Sequence, residues 1–167
     1  MLEGLSLERA EISKLLGKKL EDKNYKLAVA ESITGGSLAD SIVLTSGASR
    51  YFVGGVVAYT NKVKHKVLDV EWNLLVSRGS VDEDVAYQMA FGVRNLFDVD
   101  CAISTTGFAD SGTNAREEAG LVFVGILTPK SRQVIHMRLL DGNPGLNRNQ
   151  VRELAVLNAL SALHDIL

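Results

Sequence analysis

Proline, cysteine and aromatic residues are scarce in this sequence, and each shortage narrows the fold. Two prolines and 15 glycines in 167 residues exclude collagenous and proline-rich low-complexity chains. A single cysteine, Cys101, excludes an intrachain disulfide scaffold. Its place in the apolar run VDCAIS predicts a buried strand thiol, in keeping with a reducing compartment. No apolar run approaches the roughly 18 residues that a membrane span needs. The opening MLEGLSLERAE lacks the basic-then-apolar pattern of a secretory signal, so a cytoplasmic chain that does not associate with membranes is expected. An excess of one charge is also missing: 18 Lys and Arg against 20 Asp and Glu leave −2, too balanced for a non-specific nucleic-acid binder. What is present, 46% hydrophobic and 23% charged positions, suits one globular domain over residues 1–167. At this length about 70% of the unfolded surface is buried on folding, enough for a core without structural metal.

The hydrophobic pattern alternates between helical and strand periods. Leu7, Ala10, Ile12, Leu15, Leu16 and Leu20 recur with charged residues between them, predicting an amphipathic helix over about 6–23. The apolar run Lys26-Leu27-Ala28-Val29-Ala30 leads through Glu31-Ser32-Ile33-Thr34-Gly35-Gly36 into SLADSIVLTSG: a strand, a tight glycine turn, and a helix ending near Gly47. Tyr51 to Tyr59 reads as a strand with an irregularity at Gly54-Gly55, and NKVKHKVLDV as a short basic helix. Ser80-Val81-Asp82-Glu83 has a capping-box pattern opening a helix to about Phe97, with Val85, Met89, Val93 and Leu96 as its apolar stripe. Val99 to Thr105 is a further strand, 106–119 a polar loop of the length that often carries function, and GLVFVGILT and QVIHMRLL two strands joined around Pro129. Asn147-Arg148-Asn149-Gln150 opens a final helix. The expected fold is α/β: a single layered α/β/α domain with a mixed, mostly parallel sheet.

Two segments hold groups suited to chemistry. In the turn after the first strand, adjacent glycines let backbone N–H groups approach a ligand and the following helix presents its positive end. A strand-to-helix glycine turn also occurs for purely structural reasons, and this one matches neither a P-loop nor a dinucleotide fingerprint. Ser32 within it raises the nucleophile reading, because a hydroxyl there lies beside amides that can stabilise an oxyanion. A serine needs a base. His65, His136 and His164 have no triad or metal spacing, so no metal or cofactor is expected. The basic stretch Tyr59-Thr60-Asn61-Lys62-Val63-Lys64-His65-Lys66 offers a lysine whose pKa burial can lower, although such charge runs are commonly solvated faces.

The series AESITGG, VVAYTNKVKHKVLDV, RGSVDEDVAYQMAFGV and AISTTGFA resembles, in order and spacing over nearly the whole chain, the CinA C-terminal domain family. PncC-like members of that family are nicotinamide-nucleotide amidohydrolases. The resemblance implies hydrolysis of the carboxamide of nicotinamide mononucleotide to the acid with release of ammonia. Ser32 would be the nucleophile, Lys64 its base and Tyr59 a hydrogen-bonding or proton-relaying neighbour, with Gly35 and Gly36 at the oxyanion. Glu31, Thr34, Asn61, Thr106, Gly107 and Arg148 complete the implied substrate-binding set, with Arg148, ahead of Arg152, as the phosphate ligand. A homo-oligomer is also implied.

The chain departs from the family pattern in three places, one of them the loss of the acidic residue from the Gly145–Arg152 motif, which keeps Arg148 and Arg152. Ile33 stands where a small residue is customary. In the 106–119 loop, Asp110-Ser111 replaces a Gly-Pro pair, and Glu118-Ala119 replaces Lys-Pro. A carboxylate at 110 would oppose a substrate phosphate unless Arg116 or Arg148 neutralised it. These departures motivate a second reading, a catalytically silent or altered member that binds a small molecule or partner through the same cleft.

Overall fold

The computed structural model describes residues 2–110, 118–141 and 143–167. Five strands form one sheet: β1 (Leu27–Glu31), β2 (Phe52–Val57), β3 (Cys101–Gly107), β4 (Leu121–Leu127) and β5 (Arg132–Arg138), in the order β2-β1-β3-β4-β5. β1 pairs parallel with β2 and β3, whereas β3 with β4 and β4 with β5 are antiparallel. The sheet is therefore mixed, with the parallel part confined to the three strands that carry the glycine turn, the 51–59 segment and the 106–119 loop.

Alternation along the strands divides the core in two. Leu27, Val29, Cys101, Ile103 and Val124 face a layer made by α1 (Leu2–Asp22), α2 (Ser37–Val43) and α6 (Arg148–Ile166). Ala28, Ala30 and Ala102 face the other layer: α3 (Asn61–Leu68), α4 (Trp72–Arg78) and α5 (Glu83–Phe97). Small side chains on this second face let α5 lie close. A Cβ at Gly125 would stand 2.6 Å from the Ala86 carbonyl oxygen. Cys101 is fully buried, and burial pushes its thiol up to about 12, so it is inert packing.

Three sequence expectations are corrected by packing. α1 turns Arg9, Ser13, Leu16 and Leu20 inward, and leaves Leu7 and Leu15 exposed. Arg9 is accommodated there because it pairs with Glu153 of α6. α5 starts later than the Ser80 capping box implies: Asp82 is its N-cap, its side chain accepting from the Asp84 amide at 2.8 Å, and Leu96 at its far end is exposed. The short α4, absent from the periodicity, buries only Leu75. The final helix opens as its sequence implies, with a reciprocal Asn147–Gln150 capping box. The loop expectation over 106–119 is covered only in part, since 111–117, with Arg116, lie outside the described residues.

The chain leaves β1 through α2 on one face to reach β2, then returns through α3, α4 and α5 on the other face to β3. β1 is thus a topological switch point, and in open α/β sheets ligands bind beyond the carboxyl ends of the strands at such a point.

Candidate active site

Just past the sheet edge the three parallel strands are tied together. The Ser32 amide donates to the Thr105 carbonyl at 2.9 Å, and the Ala58 amide to the Glu31 carbonyl at 2.7 Å. The ends of β1, β2 and β3 therefore meet at Ser32.

The turn that follows is held by Glu31. Its buried carboxylate accepts from the Thr34 hydroxyl at 2.7 Å and from the amides of Gly36, Leu38 and Ala39 at 2.8, 3.1 and 2.9 Å. Three of these amides are the unpaired donors that open α2, so the carboxylate caps that helix from a strand. The fully buried Thr34 hydroxyl also lies 2.8 Å from that of Thr105. Glu31 and Thr34, implied as substrate contacts, are thus turned inward and spent on the fold. The glycines are spent likewise. Gly35 and Gly36 have φ of 58° and 102°, in the left-handed region that favours glycine. The Gly35 amide donates to the Ser32 carbonyl at 3.2 Å and the Gly36 amide to Glu31, so neither is left for an oxyanion. Among the described residues, the amides without a partner in this turn are those of Ile33 and Thr34, directly after Ser32.

From the opposite layer, α3 sends Lys64 inward with Leu68, one turn apart on the same face. The Lys64 side chain is wholly buried, and its Nζ donates to Ser32 Oγ at 2.9 Å and to the Ala58 carbonyl at 2.8 Å. Burial lowers the amine from its ordinary 10.5 to about 8. Among the described residues no carboxylate pairs with it to restore the charged form.

Ser32 opens into a cavity of about 360 Å³ whose wall includes Ile33, Tyr59, Ser80, Phe108, Asp110 and Arg148. Tyr59 is exposed, and its hydroxyl faces Arg148 Nη2 at 3.4 Å rather than Lys64 or Ser32, which removes the contact a proton relay requires. Arg148 forms an ion pair with Asp110 across the cavity mouth. Hydrogen bonding to Asp110 is the main cause that raises its guanidinium further. Arg152 points elsewhere: its Nε donates to the Ile33 carbonyl at 3.1 Å and its Nη2 to the Thr34 carbonyl at 3.0 Å, so it braces the turn from α6. Gly107 lines the cavity. Thr106 is buried and donates to the Ser80 carbonyl at 2.6 Å, and Asn61 sits at the start of α3 outside the cavity wall. Ser80 and Val81 also line the cavity, where the sequence carries no catalytic pattern. The failed capping box at Ser80 was their local signal.

The three histidines are engaged elsewhere. His65 Nδ1 lies 2.8 Å from the Val70 carbonyl, His136 stacks on Phe123, and His164 meets Asp165. Among the described residues no helix is long and apolar enough to cross a membrane.

A family model described as the CinA C-terminal domain matches residues 9–167. The CinA-like protein of Thermosynechococcus vestitus is 37% identical over 150 residues, covering 89% of this chain and 36% of that protein. That of Desulfotalea psychrophila is 35% identical over 161 residues, covering 96% and 38%. The chain therefore spans little more than a third of the curated relatives it matches. The crystal structure of a CinA superfamily protein from Escherichia coli superposes with a TM-score of 0.89 at 28% identity, over 95% of this chain and 90% of that one. The competence/damage inducible protein CihA from Agrobacterium tumefaciens gives 0.88 at 27% identity, over 95% of each chain.

Proposed function

This chain belongs to the CinA C-terminal domain family, and on that premise we propose that it is a serine amidohydrolase acting on the carboxamide of a nicotinamide nucleotide. The observation that carries the reading is the buried contact of Lys64 Nζ with Ser32 Oγ at 2.9 Å, at the carboxyl end of the parallel strands. An amine lowered to about 8 by burial is partly neutral near physiological pH, which a general base must be.

In this reading neutral Lys64 takes the Ser32 proton as Oγ attacks the amide carbon, and the Ala58 carbonyl keeps the amine aimed. The amides of Ile33 and Thr34 receive the developing oxyanion. The tetrahedral intermediate collapses by breaking the C–N bond, and the Lys64 ammonium returns its proton to the leaving nitrogen, which departs as ammonia. Water then adds to the acyl-serine with Lys64 again as base, releasing the acid and restoring Ser32. Tyr59 closes a wall of the cavity and takes no proton in this scheme.

The test is direct. The purified chain should release ammonia from nicotinamide mononucleotide and form the acid, and Ser32→Ala should abolish both. A nucleotide that raises the melting temperature without any ammonia over a broad pH range would favour the binding-only reading instead.

A further inference from the structure

We propose that Asp110 weakens the hold of this cavity on the phosphomonoester of a nicotinamide nucleotide, so that the nicotinamide nucleoside is also accepted and binds more tightly than the nucleotide. The inference rests on the amidohydrolase reading for the identity of the reacting group, and adds the substrate class.

The argument is one of charge already committed. Arg148 is the cationic side chain that lines the cavity among the described residues, at the first turn of α6. It is bound to Asp110, and its second terminal nitrogen faces the Tyr59 hydroxyl at 3.4 Å. The other arginine of this turn, Arg152, is spent on the carbonyls of Ile33 and Thr34 and on Asn149 Oδ1 at 3.4 Å. The Asp110–Arg148 pair sums to zero. A phosphate dianion reaching Arg148 must either displace the carboxylate or settle beside it, and both oppose binding. Among the other described residues of this wall, Ser80, Val81, Phe108 and Ala109 bring no compensating charge. A ligand bearing hydroxyls in place of phosphate meets no such repulsion, and the described residues of the wall, with zero net charge, tolerate a cationic pyridinium ring.

Calorimetric titration of the full chain, with Ser32→Ala to suppress turnover, reads the preference directly. Nicotinamide riboside is expected to bind at least tenfold tighter than nicotinamide mononucleotide. Adding Asp110→Asn should tighten the nucleotide about tenfold, or about 1.4 kcal/mol, and move the riboside less than threefold. A nucleotide bound as tightly as the riboside, an unchanged ratio in the Asp110 variant, or binding of neither ligand would overturn the proposal. Ammonia release by the unsubstituted chain is scored separately. Its absence with the affinity order intact rejects the amidohydrolase reading alone, whereas turnover with the nucleotide preferred rejects the selectivity alone.

Discussion

Two charged side chains are buried on either side of Ser32, and the fold treats them in opposite ways. The Glu31 carboxylate is surrounded by four donors, three of them the opening amides of α2 and its approach. The Lys64 amine meets two oxygens, those of Ser32 and Ala58, and burial drags it down to about 8. A charge fully compensated by hydrogen bonds is part of the scaffold. One left short of partners is held at a cost to stability, which is what a base near neutral pH demands. Under the proposed function, the contrast gives the fold to the residue before the serine and the chemistry to the residue across the sheet.

Replacing the amine is the strongest way to break this contrast. Lys64→Met should lower amide turnover at least a thousandfold, within the usual span for loss of a general base. It should also stabilise the protein. Burial that moves the amine from 10.5 to about 8 destabilises the folded chain by about 3 kcal/mol at neutral pH. Leaving the Ala58 carbonyl unpaired returns about 1 kcal/mol of that, for a net gain of about 2 kcal/mol in urea unfolding at pH 7. The sign of the pH dependence follows from the same two values. Between about 8 and 10.5 the unfolded chain holds a proton that the folded chain has released, so the parent gains stability across that window and the advantage of the variant fades. Turnover by the parent should rise with pH to a plateau with a midpoint near 8. A variant less stable than the parent at pH 7 would place Lys64 with Glu31, as scaffold.

The reciprocal substitution should act on the fold first. Glu31→Ala strips an acceptor from the Gly36, Leu38 and Ala39 amides and from the Thr34 hydroxyl, of which Leu38 and Thr34 are buried and Gly36 and Ala39 half-buried. A loss of about 3 kcal/mol is expected, short of four full desolvation penalties because the first turn of α2 can relax toward solvent. Denaturant midpoints measure it. If stability were unchanged while turnover fell, Glu31 would belong to the chemistry and the assignment of roles would reverse.

How much of this was legible in the sequence depended on whether the signal was local. A hydroxyl between an apolar run and two glycines marked the Ser32 turn, and Asn147 with Gln150 marked the start of α6, because a turn and a cap are each written within a few residues. The buried face of α1 departs from its hydrophobic period because Arg9 and Ser13 point inward, and Arg9 needs a partner 144 residues away. α4 leaves no mark in the sequence because seven residues with one buried side chain and no side-chain cap carry no period. Lys64 sat in a run that reads as a solvated face. Its spacing of four from Leu68 was the available clue, but the choice of Lys64 as base came from the family resemblance. Glu31, Gly35 and Gly36 bond within the turn rather than facing the cavity, and sequence does not distinguish the two: a turn rich in donors and acceptors looks alike whether those groups face a ligand or each other. The Asp110–Arg148 pair joins residues 38 apart, and only their opposite charges hinted at it.

The smallest effect expected separates Arg152 from Arg148, two arginines one helical turn apart on α6 that the family resemblance makes rival phosphate ligands. Arg152 grips the carbonyls of Ile33 and Thr34, whose amides are the proposed oxyanion donors, so it acts on the reaction by positioning the turn. A lysine can reach one of those carbonyls but cannot span both with a planar fork. Arg152→Lys should therefore lower kcat about fivefold while KM stays within twofold and the pH midpoint stays near 8, at a stability cost of about 1 kcal/mol. An arginine that held the substrate would show the reverse split, with KM rising and kcat held. That outcome would free Arg152 as a cation for phosphate and would weaken the case that Asp110 leaves the cavity without one.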